Sequence, residues 1–307
     1  MHNYQNILRS VLLHNKLDDG SFLMRETRSG NVVSAFDYKF KHNMQHGFPA
    51  VTTKKLQFNA VIGELLWFLA GKTDLDSLRH YSNIEDGEWT IWTQDAERYG
   101  GKGNKELGAI YGAQWRNFGG DRYAVGTDQI KSLISGLTNN PESRYHVVSA
   151  WNPNVIHEIA LPSCHMFFQC YVDIDEHGYK YLDLKWYQRS VDSFLGLPFN
   201  IASYGALLVF LAKLTGCQPR YLIGDLGDTH IYEQHLEQVQ TVLDREPLEL
   251  PSFKFPRFTS LDELLGYTAK DFHLVNYKHH GVLRGKLTVG ADDEQSEGQS
   301  PEVCEGD

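Results

Sequence analysis

Cys164 and His165 adjoin in the segment ALPSCHMFFQ (160–169), a thiol beside an imidazole. That pairing suggests a nucleophile with its base. Neighbours on a strand leave opposite faces, however, so His165 is not placed to deprotonate Cys164 directly. The bland alternative is a small buried cysteine with no chemistry. A second cluster, WYQRSVDSFLGLPFNIASY (186–204), sets Arg189, Ser190, Asp192 and Asn200 among apolar residues beside Gly196. Arg189 and Ser190 suit phosphate oxygens, by charge and by hydroxyl donation. Asn200 carries both a donor and an acceptor, which an amide-like base edge requires. The same residues would serve equally as a satisfied polar network at a helix start. In a third segment, GDLGDTHIYEQH (224–235), His230 and Tyr232 are two apart and would share one face of a strand. His230 and His235 lack a third ligand at fitting spacing, which rejects zinc.

These residues need elements to hold them. Residues 3–16 read as an amphipathic helix and 32–44 as a strand. In 58–71, Val61, Ile62, Leu65, Leu66 and Leu69 recur at helical spacing, with Gly71 as a stop. The polar, Gly-rich stretch 95–107 reads as a surface loop. A helix is expected at 128–138 and strands near 146–151, 166–173 and 179–187. Helices follow at 201–216 and 229–243, then short strands. Strands and helices intersperse without regular βαβ alternation, so the expectation is an α+β single domain with an antiparallel or mixed sheet.

Composition agrees. The 307 residues are 41% hydrophobic and 22% charged, enough to bury a core without disulfides or structural metal. Net charge is −10, but 290–307 hold seven acids and no Lys or Arg, leaving −3 on residues 1–289. That balance predicts no general affinity for nucleic acid or membrane surfaces. The tail from Gly290 is acidic, Gly/Ser/Gln-rich and expected to be disordered. Cys164, Cys170, Cys217 and Cys304 form no CxxC pair, the first residues lack a signal peptide's apolar stretch, and the apolar run 201–216 is short and holds Lys213. A reduced, cytoplasmic protein is the expectation.

Taken in order, GFPAVTTKKL (47–56), ELLWFL (64–69), IYGAQWR (110–116), VSAWNP (148–153), LPSCH (161–165), the 187–204 block and GDTHIY (227–232) resemble the thymidylate synthases. These folate-dependent enzymes add one carbon at C5 of a pyrimidine nucleotide, and the resemblance covers about residues 3–289. It implies a helix-packed mixed sheet that forms a homodimer interface. It implies Cys164 as nucleophile at pyrimidine C6, its thiolate favoured by Arg189. Glu64 and Tyr111 would belong to the proton-handling network. Arg28, Gln188, Arg189, Ser190 and Asp192 would bind dUMP, with Arg144 reaching its phosphate from the partner subunit. His230 and Tyr232 would hold the sugar, and Asn200 would read uracil where deoxycytidylate enzymes carry Asp. Lys54 (with Lys55), Trp92, Asp192, Leu195, Gly196 and Phe199 would bind the co-substrate 5,10-methylenetetrahydrofolate.

Four features depart from the family pattern. The N-terminal Arg-Thr-Gly-Thr-Gly-Thr becomes RETRSGNVV (25–33), the cross-dimer arginine pair becomes Arg144-Tyr145, and Trp-Asp-Glu becomes Trp92-Thr93-Gln94. The family's closing carboxylate, expected after HGVLRGKLTV (280–289), is replaced by 18 further residues. Two of these departures fall where water must be excluded for hydride transfer. The sequence therefore leads to a dUMP hydroxymethyltransferase, with thymidylate synthase proper as the alternative.

Overall fold

The computed structural model describes residues 2–120 and 125–287. The tail expected at 290–307 lies outside the described residues.

Helix α1 (His2–His14) buries Tyr4, Ile7, Leu8, Val11 and Leu12 along one stripe, the spacing read from sequence. Strands β1 (Arg25–Thr27) and β2 (Gly30–Asn43) form a hairpin whose tip carries Arg28 and Ser29. Helix α2 (Phe58–Leu69) ends at Ala70, and Gly71 follows at φ +72°, where a Cβ would also lie 2.9 Å from the Arg116 side chain. Helices α3 (Leu75–Ser82), α4 (Thr93–Gly100), α5 (Tyr111–Asn117) and α6 (Gln129–Asn139) come next; Asp74 caps α3 and Asp128 caps α6. Strands β3 (Val147–Ser149), β4 (His165–Ile174) and β5 (Lys180–Asp192) lead to α7 (Gly196–Thr215) and β6 (Gln218–Tyr232). Helix α8 (Leu236–Asp244), strand β7 (Ser252–Lys254), helix α9 (Leu261–Leu264) and strand β8 (His273–Val275) complete the described chain.

The main sheet runs β1-β2-β6-β5-β4-β3. Its neighbours are antiparallel except β5 and β6, which are parallel. A parallel pair needs a crossover, and α7 supplies it. Length and composition alone would let α7 cross a membrane, but 67% of its most apolar stretch is buried inside the protein, as a core helix must be. Along β4, Phe168, Cys170 and Val172 face the helices, whereas Phe167, Gln169 and Tyr171 are exposed. One face of the sheet is therefore covered and the other is open.

Three sequence expectations need correction. Residues 95–100, read as loop, are most of α4, because Ala96 is buried and Ala, Glu and Arg favour helix over the flanking glycines. The expected helix at 229–243 begins only at Leu236. Thr229, Ile231 and Tyr232 are strand formers and complete β6. Helix α7 starts five residues early, at Gly196, because Asp192 Oδ1 accepts from the N–H groups of Phe194 and Leu195, both at 3.0 Å, and turns the chain into the helix.

Candidate active site

Cys164 sits half-buried at the entry to β4, and its N–H donates to the Tyr111 hydroxyl at 2.6 Å. Arg189 clamps this turn from β5. Its Nε donates to Ser163 O at 3.0 Å, its Nη2 to Pro162 O at 2.8 Å, and its backbone N–H to Cys164 O at 2.8 Å. Burial pushes the Cys164 thiol above its ordinary pKa, with Asp95 and Asp192 adding to the rise; Arg189 and Tyr111 pull against it. The expected lowering by Arg189 is present but outweighed by burial. His165 is not its base. Its Nδ1 is 2.8 Å from the Tyr204 hydroxyl, its ring stacks on Tyr111 at 4.1 Å, and burial drives its pKa down to about 3, leaving a neutral imidazole.

Glu64, on α2, accepts the indole N–H of Trp92 at 2.7 Å. Burial raises its carboxyl to about 7, against a smaller lowering by that hydrogen bond. A carboxyl group poised there can give or take a proton at neutral pH. Trp92 is 6% exposed and packs against Trp67, Phe68 and Tyr111. The departures beside it are quiet: Thr93 Oγ1 accepts from Thr90 N–H at 2.8 Å, and Gln94 Oε1 is buried with no partner among the described residues. Asp95, which the sequence reading passed over, is a further carboxylate in the first turn of α4. Burial raises its pKa, Arg98 and Arg28 lower it, and its charge reaches Cys164.

Arg28, Ser190, His230 and Tyr232 line one cavity of about 220 Å³, together with Arg25, Ser29 and Asp228. Four predicted nucleotide residues thus converge, although they lie up to 204 positions apart in the chain. Arg28 comes from the β1–β2 tip, Ser190 from β5, and His230 and Tyr232 from β6. Arg25 pairs with Asp228 at 2.5 Å, and Asp228, bonded by His230 and Arg25, is held down to about 2. Sequence reading did not single out Arg25, which lies three residues before Arg28. Burial pushes Tyr232 up to about 12, so it stays a neutral hydroxyl.

Gln188 is placed differently from expectation. It is 2% exposed, and its polar atoms are spent internally, Oε1 on Trp186 and Nε2 on Ser190 O and Asn200 Oδ1. It therefore acts on Asn200 rather than outward. Asp192 caps the turn into α7, where Leu195, Gly196 and Phe199 stand half-buried. Lys54 also departs from its expected place. It is 5% exposed, its Nζ donates to Phe194 O at 2.6 Å over the Phe194 ring, and burial lowers it to about 8. An ammonium turned inward is a strut for the 192–195 turn; Lys55 is the exposed cation of the pair. Arg144 stands exposed before β3, outside the cavity. Behind Phe194, residues 285–286 close the wall: His235 Nε2 and Lys286 O are 2.8 Å apart, and a Cβ on Gly285 would lie 2.7 Å from Phe194.

An arginine clamping the turn that carries a thiol, a carboxyl raised to about 7 and a cavity lined by two arginines mark the site of an enzyme. The chain belongs to the thymidylate synthase family, whose model matches residues 2–289. It is 49% identical to the probable thymidylate synthase of Escherichia phage T5 and 42% identical to the thymidylate synthase of Enterobacteria phage T4, in each case over 94% of this chain and 100% of the relative. The thymidylate synthase of Phytoplasma mali is 36% identical at the same coverage. The crystal structure of the T4 phage enzyme superposes with a TM-score of 0.81 at 39% identity, over 94% of this chain and all of that one.

Proposed function

We propose that the enzyme converts dUMP to dTMP, taking the one-carbon unit and a hydride from 5,10-methylenetetrahydrofolate. The observation that carries this reading is the Trp92 indole, 6% exposed and bonded to Glu64, which sets an apolar wall beside the carboxyl; such a wall disfavours water at the methylene carbon that hydride must reach. The names borne by relatives matched along their full length support it. The hydroxymethyl product, which the sequence placed first on Thr93-Gln94 and the 18 residues past Val289, becomes the second reading.

Each residue has a task in this reading. The cavity's Arg28 and Ser190, with Arg189, hold the phosphate, and His230 and Tyr232 take the sugar hydroxyl. Cys164 adds to C6 of the pyrimidine, which makes C5 nucleophilic, and Asn200 meets N3–H and O4. Glu64 moves the protons at O4 and C5. Leu195 and Phe199 offer apolar surface, and Asp192 a carboxylate, to the flat amide-edged ring of the folate; that donor set fits the co-substrate. A homodimer through the open sheet face is part of the proposal, supported by Phe36 at 73%, Phe167 at 40% and Tyr171 at 60% exposure. Arg144 would then reach the partner's phosphate. A cytoplasmic setting suits the free Cys164, Cys170 and Cys217. Tritium release from C5-labelled dUMP tests carbon transfer, and dihydrofolate appearing in step with it tests hydride delivery. Release without dihydrofolate supports the second reading, and no release overturns both.

A further inference from the structure

The side chain of Asn200 can present itself in two ways, and they read opposite bases. With Oδ1 toward N3 and Nδ2 toward C4, it matches uracil, which offers an N3–H donor and an O4 acceptor. Turned over by 180°, it matches cytosine, which offers an N3 acceptor and an N4 donor. An asparagine free to turn would serve both. Something must hold it.

The restraint starts at a group that cannot be turned. Trp186 Nε1–H is a donor only, and it lies 3.2 Å from Gln188 Oε1. The backbone carbonyl of Ser190 accepts only, and it takes Gln188 Nε2 at 3.0 Å. Both ends of the Gln188 amide are therefore assigned by chemistry, independently of how its nitrogen and oxygen are drawn. Nε2 has a second proton, which it gives to Asn200 Oδ1 at 3.0 Å. Asn200 must offer its oxygen to Gln188, and its Nδ2 makes no hydrogen bond among the described residues.

The surroundings fix the indole in turn. Trp186 is fully buried, two residues before Gln188 on the same face of β5. Its ring lies 5.0 Å from that of Tyr204 with 6° between planes, and 6.1 Å from Phe40. Across the parallel pair it faces Gly224, where an added Cβ would come within 2.6 Å of the indole.

We propose that Trp186 is a positioning residue for base choice: its donor-only N–H, passed through Gln188, holds Asn200 in the uracil-reading orientation. The proposal rests on Asn200 reading the base. It is tested by replacing Trp186 with benzothienylalanine, which keeps the shape and loses the N–H, and with Phe. The ratio of kcat/KM for dUMP to that for dCMP falls about five- to tenfold in both, the worth of one buried hydrogen bond. KM for dUMP carries most of the change. A purely structural role would lower kcat for both nucleotides and leave the ratio alone. A ratio within about twofold of wild type in the folded benzothienyl protein overturns the proposal. Asn200→Asp separates the two claims. A preference shifted there but unmoved in both Trp186 variants removes the relay alone, whereas a preference unmoved in all three removes base reading by Asn200 and the relay with it.

Discussion

The indole N–H of Trp92 and Oε1 of Glu64 are 2.7 Å apart, joining a carboxyl raised to about 7 to a ring that is only 6% exposed. Burial sets the carboxyl high and this bond moderates it. In Trp92→Phe the moderating donor is gone while the wall remains, so the Glu64 pKa rises further. The acid limb of the pH–rate profile shifts to higher pH, read from kcat against pH. An unmoved limb would assign that limb to another group.

Glu64→Gln removes the titration altogether. Carbon transfer falls by about 10²-fold or more, measured as tritium release. The stability consequence has a definite sign. The ordinary carboxyl titrates near 4.5 and the folded one near 7, so over that interval the folded protein keeps a proton that the unfolded chain releases. The stabilisation is fully present below about 4.5 and is lost as pH rises to about 7. Gln does not titrate, so the variant gains on wild type across that window and the difference is flat above it. Denaturant midpoints at a series of pH values read this directly.

Cys164→Ser should abolish turnover, by a factor on the order of 10⁴ or more, and leave nucleotide affinity measurable by calorimetry. In the proposed reading the affinity comes from the cavity around Arg28, Ser190, His230 and Tyr232, which the Ser substitution leaves in place. Substantial turnover in this variant would remove Cys164 as the nucleophile.

The inward Lys54 separates a strut from an open cation. Lys54→Met loses a charged hydrogen bond to Phe194 O and is expected to destabilise by about 1–3 kcal/mol. Lys55→Met, on the exposed side, should stay within about 0.5 kcal/mol. Thermal melts of the two compare them. Equal stability would place Lys54 in solvent.

The sequence made much of this site legible because its chemistry sits in contiguous blocks. The 187–204 segment alone carries a strand, the turn capped by Asp192 and the helix start, so Arg189, Ser190 and Asn200 could be read together. Periodicity found α1 and α6 because each buries one stripe, and α2 because its apolar residues recur at helical spacing although the helix is buried nearly all round. It failed at β6, where Thr229 to Tyr232 are strand formers in a stretch whose continuation really is helical. It also failed at Lys54 and Gln188, since residue type says what a side chain can do but not which way it points. Lys54 turned inward because Phe194 O and the Phe194 ring lie there; Gln188 turned inward because Trp186 and Asn200 flank it. Phe194 lies 140 residues from Lys54, beyond any local pattern, whereas Trp186 and Asn200 lie near Gln188 in sequence but turn toward it only in the fold.

The product decides the account. The full-length protein, given dUMP and 5,10-methylenetetrahydrofolate, is analysed by mass spectrometry of the nucleotide alongside the absorbance rise of dihydrofolate. If Trp92 and Glu64 keep water from the site, the nucleotide is dTMP and dihydrofolate forms in equal amount. A nucleotide heavier by one oxygen, 5-hydroxymethyl-dUMP, with no dihydrofolate would contradict that claim.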